Sequence, residues 1–212
     1  MAREQTEKEI LAIGRRMWRQ GYVAANDGNI SVRLADGSFL VTPSGVSKGR
    51  MRPGTLLRVD SNGGLLAGKG TVTSELGMHL MVYRQRPDVR AVMHAHPPYA
   101  TTLAAAELPL DKEILPELVI FLGQVPLAPY ATPSTPEVAA SIQPFLADHD
   151  AILLSHHGVL TYGSTLEDAY AKLERVEACA QIYYNLLLLD RVRVLPPEAV
   201  DKLKSLRAGL KK

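Results

Sequence analysis

An α/β fold, with a mostly antiparallel or mixed sheet covered by helices, is predicted by three observations. The 212 residues alternate between segments of helical periodicity and short period-two runs. The period-two runs come in pairs around tight turns, at Asp36-Gly37 and at Asn62-Gly63-Gly64. Helical segments stand before and after these pairs, without the strict strand–helix alternation of a parallel sheet. No internal repeat or low-complexity linker divides the chain, so residues 1–212 read as one domain.

The elements follow in order. Thr6 and Glu9 have capping-box spacing, and Ile10, Leu11, Ile13, Met17 and Trp18 continue at helical intervals until Gly21. Segments 30–34 and 38–42 flank the first turn, and 55–59 and 65–67 flank the second. Residues 74–86 predict a helix with Leu76, Leu80, Met81 and Tyr83 on its apolar side, ended by Pro87. A strand over 89–94 is stopped by Pro97-Pro98, and a short alanine-rich helix follows over 99–106. Runs 118–121 and 125–128 read as strands. Thr135 is a candidate N-cap with Pro136 in the first helical position, opening a helix towards Ala147. Strands 151–155 and 159–162 enclose His156-His157-Gly158. Ser164 and Glu167 form a second capping-box pattern before the longest helix, which reaches about Asp190, and a basic helix over 197–210 closes the chain.

Composition narrows the function classes. Hydrophobic residues at 46% and charged residues at 22% are ordinary for a soluble globular protein. A formal charge of +2 lacks the basic excess of a dedicated nucleic-acid binder. Lys202, Lys204, Arg207, Lys211 and Lys212 read instead as a solvated face that complements a helix C-terminus. The lone Cys179 excludes an internal disulfide and reads as a small core residue. Charges in MAREQTEKEI occupy the place of a signal peptide's apolar stretch, and no run of about 18 apolar residues occurs. A cytoplasmic protein without a membrane span is the expectation.

Six histidines carry the clearest chemical signal. His94 and His96 end a predicted strand, where residues i and i+2 face the same side roughly 6.6 Å apart. Two imidazoles at that spacing can lean onto one metal ion at about 2.0–2.1 Å per bond. A third ligand can come from the His156-His157-Gly158 turn. The alternative is a set of strand-end histidines bonded to backbone carbonyls. Glu75 and His79 share a helix face and form a rival metal pair or a surface interaction. His149, between Asp148 and Asp150, reads as a solvated loop residue.

Three small polar turns, Asn26-Asp27-Gly28-Asn29, Thr42-Pro43-Ser44-Gly45 and Thr73-Ser74, offer amides and hydroxyls suited to a phosphate. Taken singly, each is more often plain turn and cap chemistry. Thr73-Ser74 also opens a helix, whose N-terminal amides favour an anion. Lys48 can add charge beside the second turn, although exposure is the commoner fate of a lysine. Glu75 is either a dipole-compatible helix-start residue or, if desolvated near a metal, a general base.

In this order, the Gly28-Asn29 turn, Thr42-Pro43-Ser44-Gly45, Ser74-Glu75, His94-Ala95-His96 and His157-Gly158 resemble the class II aldolase/adducin-like family, particularly its fuculose-phosphate aldolase branch. Ala128-Pro129-Tyr130-Ala131-Thr132 matches a further segment, and the resemblance extends over about residues 5–195. It implies a three-layer α/β/α sandwich around a mainly antiparallel sheet, assembled as a homotetramer with active sites between subunits. It makes His94, His96 and His157, rather than His156, the ligands of Zn2+, and Glu75 the acid/base residue. Gly28, Asn29, Ser44, Gly45, Thr73 and Ser74 fall where the family holds a sugar-phosphate's phosphate.

The implied reaction is reversible cleavage of a ketose 1-phosphate to dihydroxyacetone phosphate and an aldehyde. Ribulose-5-phosphate 4-epimerases, methylthioribulose-1-phosphate dehydratases and sugar-acid decarboxylases share the metal framework. The epimerases carry aspartate in place of Glu75. A non-catalytic adducin-like assembly module has no need of the three histidines with Glu75. The chain departs from fuculose-phosphate aldolases in two places. Glu117 or Leu118 stands where a neighbouring subunit supplies a tyrosine, making Glu117 a candidate partner acid, and the tail 202–212 has no tyrosine. The helix leucines Leu186, Leu187, Leu188 and Leu189, with Ile182 and Tyr183, fit core packing first and a subunit contact second.

Overall fold

Alternation of side chains along the strands sorts the buried residues into two layers, one on each face of a sheet. The structure, a computed structural model, describes residues 3–210. Its elements are α1 (Arg3–Arg19), β1 (Asn29–Arg33), β2 (Phe39–Val41), β3 (Leu57–Val59), β4 (Leu65–Ala67), α2 (Leu76–Gln85), β5 (Ala91–Ala95), α3 (Pro98–Ala105), β6 (Leu127–Ala128), α4 (Pro136–Ile142), β7 (Ala151–Leu154), β8 (Gly158–Gly163), α5 (Leu166–Leu188) and α6 (Pro197–Leu210). The strands lie in the order β4-β3-β2-β1-β5-β8-β7-β6. Every described pairing is antiparallel except β6 with β7. The mainly antiparallel sheet expected from the paired runs is present.

Strand β5 shows how the layers arise. Ala91, Met93 and Ala95 face a core built with α1, α3 and α5, whereas Val92 faces one built with α2 and α4. Helices thus cover both faces, giving the three layers. Each fully buried Leu, Ile, Val or Met contributes roughly 1.5–3 kcal/mol, so both faces anchor the central strands β1, β5 and β8. His94 belongs to the Val92 face and therefore points towards the α2 side.

Several local expectations are corrected. Residues 118–121 do not form a strand: Leu118–Leu122 is a π-helical turn whose Leu118, Val119 and Leu122 are buried. A short apolar run carries no period that separates the two states. The expected strand 125–128 is reduced to Leu127–Ala128, with Val125 only bridging Leu110. Helix α1 already includes Arg3, so Thr6 is buried within it and is not its cap. Thr165, one residue past Ser164, caps α5 by accepting the Asp168 amide. Thr135 stands at the start of α4 as expected, but its hydroxyl donates to the Thr132 carbonyl at 2.7 Å. That helix stops at Ile142 and continues as a 3₁₀ turn, Gln143–Phe145, because Pro144 has no N–H for an α-helical bond.

On α5, Tyr183 is buried and Leu186 packs against the core, but Ile182, Leu187, Leu188 and Leu189 are exposed. Core packing within one chain therefore does not account for the end of this helix. Cys179 is buried as expected, and burial pushes its thiol up to about 11. Lys202 and Lys204 are exposed as expected, Lys204 pairing with Glu113, whereas Arg207 is half-buried beside Gly123. Lys211 and Lys212 lie outside the described residues.

Candidate active site

The end of β5 sets the first two imidazoles. His94 lies opposite Asn29 of β1 and Leu160 of β8, and its side chain is fully buried. Its Nδ1–H donates to the Val159 carbonyl at 3.0 Å, which leaves Nε2 as the free lone pair. His96, one residue past the strand, brings its Nε2 to 2.8 Å from His94 Nε2. Its other nitrogen, Nδ1, faces Asp27 Oδ2 at 3.8 Å. His157 enters from the turn between β7 and β8, with ring centroids 4.5 Å from His94 and 5.1 Å from His96.

One ring nitrogen from each of these three histidines lies within 4.8 Å of the others, an arrangement that can hold a metal ion. Tetrahedral Zn–N bonds would set such nitrogens roughly 3.4 Å apart, inside that span. Burial, reinforced by the neighbouring imidazoles, holds His94 well below the usual histidine range. His96 is lowered by burial and then by His157. Neutral imidazoles are the form that ligates metal.

His156 does not join this cluster. Its backbone adopts φ of +54°, and its exposed ring points to Glu107, with Nε2 3.8 Å from Oε1. Gly158 completes the turn for a steric reason. A Cβ there would stand 2.5 Å from the Ala95 carbonyl oxygen and 2.6 Å from His96 Cδ2.

Glu75, the residue preceding α2, reaches the cluster from across the sheet face. Its Oε2 is 3.5 Å from His94 Nε2, and its Oε1 is 3.3 Å from His157 Nε2. Asn29 donates an amide hydrogen to Oε2 at 2.8 Å, while the buried Oε1 has no hydrogen-bond partner among the described residues. A buried carboxylate oxygen left without a hydrogen bond beside imidazole nitrogens is costly as it stands. A cation among these groups would satisfy all of them, so the donor set fits a divalent metal.

His79 is not the rival ligand that its spacing from Glu75 allowed. It is fully buried, with Nε2 bonded to Asn29 Oδ1 at 2.5 Å and Nδ1 bonded to Ser31 Oγ at 2.7 Å. Because Asn29 spends its NH2 on Glu75, its Oδ1 accepts, and His79 carries its proton on Nε2. Burial depresses His79 to about 3, so it stays neutral. Tyr83 extends the chain, its hydroxyl lying 2.8 Å from Ser31 Oγ and donating to the Ser31 carbonyl at 2.9 Å.

The three polar turns meet beside the imidazoles. A cavity of about 210 Å³ is lined by Gly28, Asn29, Ser44, Gly45, Thr73, Ser74 and Glu75, together with His96 and His157. Gly28 has φ of +71°, and a Cβ there would sit 2.8 Å from the His94 carbonyl oxygen, so the first turn requires glycine. A larger cavity of about 430 Å³ lies near Arg86 and Lys172, away from the imidazoles. Those cations are already paired with Asp88, Asp150 and Asp168.

Residues 8–184 match the family described as Class II Aldolase and Adducin N-terminal domain. The chain belongs to the class II aldolase family. It is 32% identical over 207 residues to a 5-deoxy-D-ribulose 1-phosphate aldolase of Bacillus thuringiensis serovar kurstaki, covering 96% of this chain and 95% of that protein. It is also 32% identical to a 3-oxo-tetronate 4-phosphate decarboxylase of Escherichia coli, over 95% of this chain and 96% of that one. A solved structure of an L-fuculose 1-phosphate aldolase superposes with a TM-score of 0.90 at 30% identity, over 100% of this chain and 99% of the other. This class II aldolase is therefore an enzyme of a metal-dependent family. No helix among the described residues is long and apolar enough to cross a membrane.

Four features of the site escaped sequence reading. Asp27 faces His96, His79 supports Asn29, and Pro133 and Ser134 line the cavity, with Ser134 donating to Ser74 Oγ at 2.7 Å. The run Thr132-Pro133-Ser134 carries a turn signal of the same kind as the three selected turns. Lys48, expected to be exposed, is instead 2% exposed and lines the cavity. His149 is a partly exposed loop residue as expected, and its Nδ1 lies 3.1 Å from the Gln124 carbonyl.

Proposed function

We propose that this chain is a zinc-dependent aldolase that reversibly cleaves a ketose 1-phosphate, of the L-fuculose-1-phosphate type, to dihydroxyacetone phosphate and an aldehyde. The observation that carries the reading is the Glu75 carboxylate, 3.3 and 3.5 Å from two imidazoles of a three-histidine cluster beside a cavity of polar turns. His94, His96 and His157 would hold the zinc, which when bound supplies Lewis-acid polarisation of the substrate's oxygens.

The remaining work falls to the chain's own groups. Gly28, Asn29, Ser44, Gly45, Thr73 and Ser74 hold the phosphate, converting remote binding energy into positioning of the bond to be broken. Glu75 accepts the proton released as the carbon–carbon bond cleaves and returns it to the three-carbon product. Asn29 and His79 fix the carboxylate's orientation for that transfer. Asp27 steadies the His96 ring through its second nitrogen.

The same reading takes the active unit to be one domain in a homotetramer in the cytoplasm, with sites completed between subunits. The exposed end of α5 supports assembly, as do Leu65 and Leu66 on the edge strand β4. Glu117 is exposed and does not line its own chain's cavity, consistent with a partner acid at a neighbouring site.

A second reading rests on the decarboxylase relative, since loss of carboxylate beside a ketone leaves the same kind of carbanion. Metal analysis with a cleavage assay across ketose 1-phosphates and a 3-oxo acid 4-phosphate separates the two. Dihydroxyacetone phosphate release that is lost in Glu75→Gln at full metal content supports the aldolase. Carbon dioxide release alone assigns the decarboxylase, and undiminished cleavage in Glu75→Gln removes Glu75 from the mechanism.

A further inference from the structure

Lys48 is a buried ammonium. Its Nζ donates to the Asn26 carbonyl at 2.8 Å and the Val46 carbonyl at 2.9 Å. The first carbonyl belongs to the first polar turn and the second to the residue that follows the second turn, so the side chain bridges the two loops that would grip the phosphate. An ammonium has three donors, and one is left over. Lys48 forms no ion pair among the described residues; Asp27 and Glu75 act on it only through space, while burial lowers it to about 8. Among the residues lining the cavity it is the one lysine or arginine, and the other donors offered to a phosphate there are neutral.

A buried charge without a counter-ion is unfavourable unless something compensates it. Two backbone carbonyls compensate part of this cost. Bridging two loops needs only a donor, and a neutral side chain would serve. The charge itself is explained by a ligand that brings negative charge into the cavity.

We propose that Lys48 is the cation that recognises the substrate's phosphate dianion and selects phosphorylated over unphosphorylated substrates. This assignment rests on the phosphate reading of the three turns given above. Charge-assisted bonds are about twice as strong as neutral ones, so Lys48 accounts for a large share of the affinity.

The test is calorimetric binding of inorganic phosphate to the metal-depleted full chain at fixed pH and ionic strength, with zinc affinity measured in parallel. Lys48→Gln keeps a donor for the two carbonyls and removes the charge, and Lys48→Met removes both. The expected result is phosphate binding weakened about tenfold or more in Lys48→Gln, equivalent to about 1.4 kcal/mol, with zinc affinity unchanged. Phosphate affinity equal to wild type overturns the proposal. Loss of zinc and phosphate affinity together, or failure of both variants to fold, assigns Lys48 to bridging the loops alone and also overturns it. A wild type that binds no phosphate removes this proposal with the phosphate site. Phosphate binding without retro-aldol cleavage removes only the reaction proposed above.

Discussion

Replacing His79 by leucine tests the buried chain that supports Glu75. The ring is fully buried and bonds Asn29 Oδ1 at 2.5 Å and Ser31 Oγ at 2.7 Å. Leucine fills a similar volume but leaves both partners without this contact, at roughly 1–3 kcal/mol each. A loss of about 2–6 kcal/mol at pH 7 is expected. The pH dependence gives a sharper signature. Burial depresses the folded imidazole from its ordinary 6.5 to about 3. As pH falls, the unfolded chain takes up this proton first, so the stabilisation is complete above pH 6.5 and is lost as pH falls towards 3. From 6.5 to 5 the loss is about 1.5 units at ~1.36 kcal/mol each, or about 2 kcal/mol. His79→Leu lacks this group, so the wild-type advantage should shrink by that amount between pH 7 and pH 5. Urea unfolding of the metal-depleted proteins at the two pH values measures it, and the other histidines cancel in the comparison. A gap below about 1 kcal/mol at pH 7, or one that does not change with pH, refutes the reasoning.

Two further substitutions probe the frame of the site. Gly158→Ala places a Cβ 2.6 Å from His96 Cδ2 and 2.5 Å from a backbone oxygen. Because such displacement acts through a ligand's support, zinc affinity should fall about 10–100-fold; competition with a chromogenic chelator reads it, and wild-type affinity would contradict the steric account. Glu177 accepts the Tyr99 and Ala100 amides at 3.0 and 2.8 Å and so caps α3, immediately after His96. Glu177→Gln turns one acceptor into a donor against those amides and should cost about 1–3 kcal/mol in denaturant unfolding; an unchanged midpoint would show that the cap is dispensable.

The parts of this molecule legible in the sequence are those governed by local period and turn chemistry. His94 and His96 could be placed on one strand face because i and i+2 share a side in any strand. The choice between His156 and His157 was not local. It depends on a left-handed backbone at His156 that turns its ring outward, and spacing does not encode that. Glu75, expected on the helix with His79, instead precedes α2, and the two meet through Asn29, which bonds both. His79's partner, Asn29, is 50 residues away and meets it only when β1 packs against α2. Lys48 was misjudged for the same reason, since its burial is created by carbonyls of two loops that the sheet brings together. The run at 118–121 failed differently, because four apolar residues fit a strand or a helical turn equally until α5 packs beside them.

Metal content after replacing the two adjacent histidines tests the central assignment most directly. His157→Ala and His156→Ala are purified with wild type, exposed to limiting zinc and analysed by mass spectrometry of bound metal. The expected result is near-stoichiometric zinc in wild type and His156→Ala, with strongly reduced occupancy in His157→Ala. Zinc retained by His157→Ala and lost from His156→Ala would contradict the site built on His94, His96 and His157.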